Sequence, residues 1–596
     1  MRRRWWLAAG AGLASLLALA PVGRASTPAP GWSARPATFG VAETSDVPIR
    51  MSDGVVLAAN VFRPAGPDGK PGAGRFPALL VQTPYNKNEQ DPHSDYLVRR
   101  GYVDVVVDVR GTGSSGGVFS SFDARSQQDS RELVAWAAAQ PWSTGVVGLH
   151  GESYYAINQL LTAAQDPPAL KAMFPVVPTG DQYRSLFPGG YQTSLELFAL
   201  EDAVDGDTPP AYMASDPQRA SQTLGTRPQN LTGFGSYSAT TMAGGYGDFD
   251  GPYYRNMSPL WVIDRIRTPT FLVGGWYDAL SQRDAPRLFD ALQARGVPVK
   301  LLMGPWYHTT AGSGLPRDGV PSLDELQLRW FDHWLRGAPD PGLASWGPVT
   351  YDRLGEGHFH TAPSWPPPGT GYTRLYLGGT SAPGTSGTLG PAPSSGGPDV
   401  LAWQPAAGAC ARSTYVGTFG LAPGTPCETN DGINDLTGLT YDLALKRSLD
   451  LAGPMSAHLF VSTSGSDAFV TLHLEDVDPA TGQADEITSG WDSLSFRALD
   501  PGLSTPLGRA GLLPFHPDTR ASVETLSPGR VYDWWIEIRP AAVTIPAGHV
   551  LRLSLQTSDA VRFLPTAPRL ASAVGTTLTL YHDPAHPSAV VVPVAG

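Results

Sequence analysis

From Phe76 onward, short runs that are apolar throughout alternate with stretches whose apolar residues recur every three or four positions. The runs are Phe76 to Gln82, Tyr102 to Val107, Val146 to His150, Ala172 to Val177, Thr270 to Gly274 and Val299 to Met303. Strands covered on both faces have this character, as in a parallel sheet. Between them, Arg131 to Ala139, Tyr154 to Ala164 and Ala285 to Ala294 carry apolar residues at helical spacing, so the pattern predicts a doubly wound α/β unit over residues 43–340. Val47 to Arg63 reads as a hairpin around Ser52-Asp53-Gly54. Ser322 to Arg336 reads as a closing helix that starts in a capping box, Ser322 with Glu325.

Two stretches break the alternation. Residues 178–262 are rich in Gly, Tyr, Asp and Pro, with helix-like stretches at Ser194 to Ala203 and Pro217 to Leu224. An insertion between sheet strands predicts a helical cap over an α/β site. After residue 340 the period becomes two. Ser456 to Ser462, Phe469 to Glu475, Arg530 to Arg539, His549 to Gln556 and Thr577 to Tyr581 predict an all-β sandwich over 345–596, with 364–399 read as Pro/Gly/Ser-rich turns.

Composition narrows the function. The 596 residues carry a net charge of −12 with no basic run beyond Arg2-Arg3-Arg4, which excludes a nucleic-acid partner. That basic start, the apolar run Trp5 to Pro21 and the small-residue context near Ala25 read as an export signal over residues 1–25. Trp5 to Ala20 is short for a membrane anchor and no second apolar segment follows, so no stable span is expected after cleavage. Arg3-Arg4-Trp5-Trp6-Leu7 resembles a twin-arginine signal, which leaves the route open between that and the general secretory one. The two cysteines, Cys410 and Cys427, are read as a disulfide of an exported protein rather than two loop thiols. It lies far in sequence from any candidate chemistry, so its reduction is expected to lower thermal stability before it affects chemistry.

The candidate chemistry begins where the run Val146 to His150 enters Gly151-Glu152-Ser153-Tyr154-Tyr155 with a helix directly behind. Such a turn lifts a serine hydroxyl out of the sheet and aims helix N–H groups at a developing oxyanion, and Ala156 is small enough for close packing. Gly113-Ser114-Ser115-Gly116-Gly117 also fits Gly-x-Ser-x-Gly, but no helix starts behind it, so Ser153 is the candidate nucleophile and Ser115 the decoy. An acid and a histidine should follow on later strand ends. Asp278 lies just past Thr270 to Gly274, and His308 just past Val299 to Met303. Asp284 is the rival acid but lies nearer the next helix. His150 and His333 sit within a strand and a helix. His358 and His360 share strand spacing without a third ligand, so no metal and no cofactor are expected.

Gly151-x-Ser153-Tyr154, Asp108-Val109-Arg110-Gly111, Gly274-Gly275-Trp276-Tyr277-Asp278 and Gly304-Pro305-Trp306-x-His308 together resemble the cocaine-esterase and X-prolyl dipeptidyl-peptidase-like (CocE/NonD) serine hydrolases. Ser258-Pro259-Leu260-Trp261 looks familial as well, and Gly529-Arg530-Val531-Tyr532, Gly548-His549-x-Leu551-Arg552-Leu553 and Ser558-Asp559 look like that family's C-terminal domain. The resemblance implies an α/β-hydrolase with a helical cap and a galactose-binding-like jelly roll. It also implies that Tyr85, in Thr83-Pro84-Tyr85-Asn86-Lys87, gives its hydroxyl to the oxyanion alongside the Tyr154 N–H, the alternative being a packed tyrosine. Ala156 departs from the family's usual glycine. Ala279, Leu280 and Ser281 are neutral where α-amino-acid ester hydrolases of the family place acids, and the cap acids Glu196, Glu201, Asp202, Asp205 and Asp207 read as a solvated face.

These readings combine into an exported serine hydrolase that cleaves a small ester or amide through an acyl-enzyme on Ser153, with His308 as base and Asp278 as orienter. Trp276, Trp306, Tyr307 and Tyr155 are expected to line an aromatic substrate pocket, or else to be packing. A carboxylesterase is favoured over an X-Pro dipeptidyl-peptidase-like aminopeptidase. An inert hydrolase whose β domain binds sugar is the rival of a different class.

Overall fold

The structure, a computed structural model, describes residues 33–193, 210, 212–340, 342–343, 346–421, 426–560 and 562–595. The expected export signal, the helix-like stretch Ser194 to Ala203 and the cap acids Glu196, Glu201, Asp202, Asp205 and Asp207 lie outside the described residues.

The first half is built on β1 (Gly40–Arg50), β2 (Val56–Ala65), β3 (Phe76–Thr83), β4 (Val103–Asp108), β5 (Ser143–Glu152) and β6 (Leu170–Val176). The short β7 (Tyr191–Thr193) pairs elsewhere, and β8 (Thr270–Gly275), β9 (Val299–Gly304), β10 (Val349–Arg353) and β11 (His358–Ala362) complete the sheet. Its order is β1-β2-β4-β3-β5-β6-β8-β9-β10-β11, parallel from β4 through β10. Every residue of β3, β4 and β8 is buried, which is why those runs are apolar on both faces. Helices α1 (Asp95–Val98), α2 (Ala124–Ala139) and α3 (Tyr154–Ala163) connect and cover them. The closing helix Leu323–Arg336 starts on Ser322, whose hydroxyl accepts from Glu325 N while the Glu325 carboxylate accepts from Ser322 N. β10 and β11, which the change of period placed with the second domain, instead extend this sheet: β10 pairs parallel with β9 and antiparallel with β11.

Between β6 and β8, the described part of the insertion holds α4 (Gln182–Leu186) and the helices Pro217–Leu224, Arg227–Met242 and Pro252–Asn256. The second half is an eleven-stranded all-β domain in which the pairing of Leu449–Thr463 with Ala589–Val594 closes the sheet into a barrel-like ring. Residues read as turns near 364–399 include two of its strands, Gly371–Gly378 and Ser386–Gly390. Their Gly, Ser and Thr content hides them from a period-two reading, and pairing with Ala589–Val594 and Leu439–Ala444 supplies what intrinsic propensity does not. The helix Ser281–Ala294 joins the halves: Arg283 and Arg287 reach Glu537 at 3.1 and 2.8 Å, and Gln282 reaches Thr488 at 3.1 Å. Among the described residues no helix is long and apolar enough to cross a membrane.

Candidate active site

Ser153 sits between β5 and α3 with φ 57° and ψ −122°, a conformation a β-substituted residue adopts only when its surroundings enforce it. Those surroundings are tight. A Cβ on Gly151 would stand 2.7 Å from that of Tyr155, and Ala156 is fully buried under the turn. The Ser153 N–H is tied to Val176 O at 3.0 Å, and its carbonyl accepts from Ala156 N and Ile157 N. The side chain makes no capping bond and faces a cavity of about 660 Å³.

His308 opens a short 3₁₀ turn beyond β9 and lines the same cavity. Its Nδ1 lies 2.8 Å from Asp278 Oδ1. Asp278 is wholly buried and also accepts from Ser281 N at 2.8 Å, the Ser281 hydroxyl and Leu280 N. Burial would push the Asp278 carboxyl up, but the neighbouring His308 and the Ser281 hydrogen bonds hold it below the usual carboxylate range. Arg539, from the β domain, donates to Ala279 O at 2.7 Å and so fixes the turn after Asp278.

The rivals separate cleanly. Ser115 is fully buried, its hydroxyl donating to Asp108 O at 2.6 Å and accepting from Ala58 N at 2.8 Å. Asp284 accepts from Thr179 Oγ1, Gly180 N and Asp181 N at 2.7 to 2.9 Å, which anchors the start of the insertion. His150 pairs with Asp104 at 3.0 Å, and His333 faces Ala338 O. His358 and His360 turn to different carboxylates, Asp318 and Glu356, so they share no ligand position.

Tyr85 and Tyr154 both line the cavity, with ring centroids 6.3 Å apart. The loop carrying Tyr85 is held from below: fully buried Lys87 reaches Asp108 at 3.2 Å and Asp46 at 2.8 Å, and Lys87 N donates to Asp108 Oδ1 at 2.7 Å. This gives Asp108-Val109-Arg110-Gly111 its physical meaning, since Arg110 in turn grips Asp129 through two 2.8 Å bonds. Tyr155 lines the cavity.

Trp276, Trp306 and Tyr307 do not line it, which corrects the expected pocket. Trp276 is fully buried beneath the sheet edge, donating to Asp352 O at 2.8 Å and packing on Trp365. Trp306 folds back over β9, so that a Cβ on Gly304 would meet its ring at 2.5 Å, and donates to Ser313 O. The Tyr307 hydroxyl accepts from Arg412 at 3.0 Å. The aromatic wall comes instead from Phe119, Phe122, Tyr237 and Phe419. Phe419 belongs to the excursion that the Cys410–Cys427 disulfide closes, and its ring centroid lies 4.7 Å from that of His308. Thr309 N and Thr309 Oγ1 both donate to Phe419 O, at 3.2 and 2.8 Å. Sequence reasoning missed this contact because 111 positions separate the two rings. It also passed over Glu152, the one carboxylate of the described cavity lining. Glu152 is exposed at the cavity mouth, and partial loss of water there pushes its carboxyl above its ordinary value, His308 pulling it down and Asp278 adding to the rise.

Comparison with known proteins agrees over nearly the whole chain. Residues 53–310 match the X-Pro dipeptidyl-peptidase (S15 family), and residues 342–591 match the X-Pro dipeptidyl-peptidase C-terminal non-catalytic domain. The chain is 28% identical to a Mycobacterium bovis protein whose serine-esterase name is itself an inference, over 92% of this chain and 94% of that one. It is 25% identical to the cocaine esterase of a Rhodococcus species, over 92% and 98%. The fold is similar to that of a CocE/NonD family hydrolase from Staphylococcus aureus, with a TM-score of 0.69 at 20% identity, covering 96% of this chain and all of the other.

Proposed function

The chain belongs to the CocE/NonD and X-Pro dipeptidyl-peptidase-like serine hydrolases, and from that premise we propose that it is an exported carboxylesterase working through an acyl-enzyme on Ser153. The observation that carries this reading is the 2.8 Å pairing of His308 with buried Asp278 on the cavity that Ser153 faces. His308 takes the Ser153 proton as the hydroxyl attacks the carbonyl and returns it to the leaving group, while Asp278 fixes the imidazole tautomer and balances the imidazolium. The Tyr85 hydroxyl and the Tyr154 N–H at the start of α3 receive the oxyanion. The jelly-roll type of the β domain and delivery by the N-terminal signal belong to the same proposal.

An aromatic cavity of about 660 Å³ suits a small ester with an aryl or otherwise apolar part. One observation favours a second reading, an X-Pro dipeptidyl-peptidase-like aminopeptidase: the Glu152 carboxylate offers a charge partner for a substrate ammonium. Kinetics on aryl esters, acyl amino-acid esters and Gly-Pro anilides separate the two. Fluorophosphonate labelling tests the nucleophile. Ser153→Ala should abolish labelling and lower turnover by about 10⁴-fold or more, and labelling that persists in that variant overturns the assignment.

A further inference from the structure

Away from the cavity, the β domain buries three ionisable side chains against one another. Asp431, His473 and Glu486 are 0%, 0% and 3% exposed. His473 and Glu486 stand on the adjacent antiparallel strands Phe469–Asp478 and Gln483–Ser493, and Asp431 comes from the segment that follows Cys427. One atom of each, a ring nitrogen or a carboxylate oxygen, lies within 4.8 Å of the other two. His473 Nδ1 is 3.0 Å from Glu486 Oε2 and 3.7 Å from Asp431 Oδ2.

A hydrogen-bonded histidine accounts for only part of this. A proton on Nδ1 goes to Glu486, and Asp431 Oδ2 then has no hydrogen-bond partner although it is completely shielded from water. A buried carboxylate oxygen left in that state is costly. Its companion oxygen is occupied, accepting from Arg412 N at 2.9 Å. A cation replacing the proton gives Asp431 Oδ2, His473 Nδ1 and Glu486 Oε2 one shared partner, and leaves only His473 Nε2 unpaired. Ligands bound tetrahedrally at about 2.0–2.1 Å stand roughly 3.3–3.4 Å apart, and the two measured separations bracket that spacing. One imidazole with two carboxylates is a first-row transition-metal donor set, too short of oxygens for calcium.

We propose that Asp431, His473 and Glu486 form a structural site for a divalent transition cation, zinc by donor set, that fastens the disulfide-closed excursion to the β domain. Sequence reasoning missed it, because the expectation of no metal weighed only His358 and His360. The site has no part in the chemistry. Its reach to the cavity is mechanical: Asp431 holds the N-terminus of the helix Arg412–Gly417, and that helix leads to Phe419 on His308. With every ligand buried, the ion enters as the chain folds and is not exchanged afterwards without opening the domain.

The test uses the full-length, disulfide-intact protein from cells grown with zinc. Elemental analysis should find one equivalent per chain, and protein produced with cobalt should show the visible ligand-field bands of a tetrahedral site. Dipicolinate present during unfolding and refolding should lower the melting temperature of the refolded protein, and zinc supplied during refolding should restore it. Asp431→Asn and His473→Gln should each reduce the metal content to a tenth or less of that of the parent. Metal-free protein whose melting is indifferent to chelator, zinc and cobalt overturns the proposal, and so does metal retained in full by both variants. If neither variant folds, metal content and the chelator response of the parent protein decide alone.

Discussion

Reducing the Cys410–Cys427 bond should loosen the active site before it loosens the fold. The bond spans 17 positions, and a loop of that size contributes about 3 kcal/mol through the entropy it removes from the open state. Since about 1.4 kcal/mol is tenfold in an equilibrium, reduction should raise the fraction of time the excursion spends detached by roughly 10²-fold. The contact that breaks on detachment is defined: Thr309 N to Phe419 O, one residue from the His308 imidazole. Hydrogen exchange at the Thr309 amide should therefore accelerate by about that factor in reduced, alkylated protein, while amides of β3 and β4, buried throughout, exchange at unchanged rates. Activity should follow. On heating, the reduced enzyme should lose turnover below its own melting temperature, whereas in the oxidised enzyme the two losses coincide. Equal Thr309 exchange in the two redox states would refute the reasoning, as it would show that packing of Tyr415 and Val416 on Tyr307 holds the segment without the bond. The bond's distance in sequence from His308 predicts that reduction lowers stability before it affects chemistry, whereas the Phe419 contact argues for the opposite order.

Other perturbations have distinct signatures. Tyr85→Phe should lower kcat by roughly 10² to 10³ with little change in KM if the hydroxyl serves the oxyanion, and unchanged turnover would make Tyr85 a packing residue. Ser115→Ala leaves the buried Ala58 N–H without its acceptor, so it should cost about 1–3 kcal/mol in denaturant unfolding while kcat/KM stays intact; lost turnover with unaltered stability would contradict the structural role. Because the Glu152 carboxyl is raised in the folded state, it favours folding most below the ordinary glutamate range, and that contribution is lost as pH rises through the raised value. Because Glu152 is also exposed to solvent, Glu152→Gln should melt only slightly higher than the parent at neutral pH, with the gain shrinking toward pH 4, and a gain independent of pH would exclude this origin.

The readable part of the molecule is the part in which one residue's neighbours in sequence are also its neighbours in space. Buried parallel strands must be apolar on both faces, so β3, β4, β8 and β9 stood out. The alternation of strand and helix then placed Ser153, Asp278 and His308 at strand ends along one sheet edge, where the structure sets Ser153 and His308 on one cavity and pairs His308 with Asp278. Side-chain direction past a strand end is decided by contacts the sequence does not order. Trp306 turns inward because the glycine at the end of β9 leaves bare backbone to cover: a Cβ on Gly304 would meet its ring at 2.5 Å. Phe419 reaches the cavity from another domain. The buried trio of the β domain draws on three separate elements, and period two marks which residues point inward without saying which polar ones will meet.

The salt-linked helix Ser281–Ala294 carries a consequence for how this enzyme acquires new substrates. Arg283 and Arg287 lock it to Glu537, Arg539 holds the turn after Asp278, and Phe419 backs His308, so the acid and base side of the cavity is cast as one block with the β domain. Drift in that wall would disturb proton transfer along with shape. The opposite wall, where Phe234 and Tyr237 project from the helix Arg227–Met242, holds none of the proposed proton-transfer groups. Natural or laboratory diversification of acyl-group size should therefore accumulate in the insertion between β6 and β8, leaving the shared block nearly invariant among variants that differ widely in what they cleave.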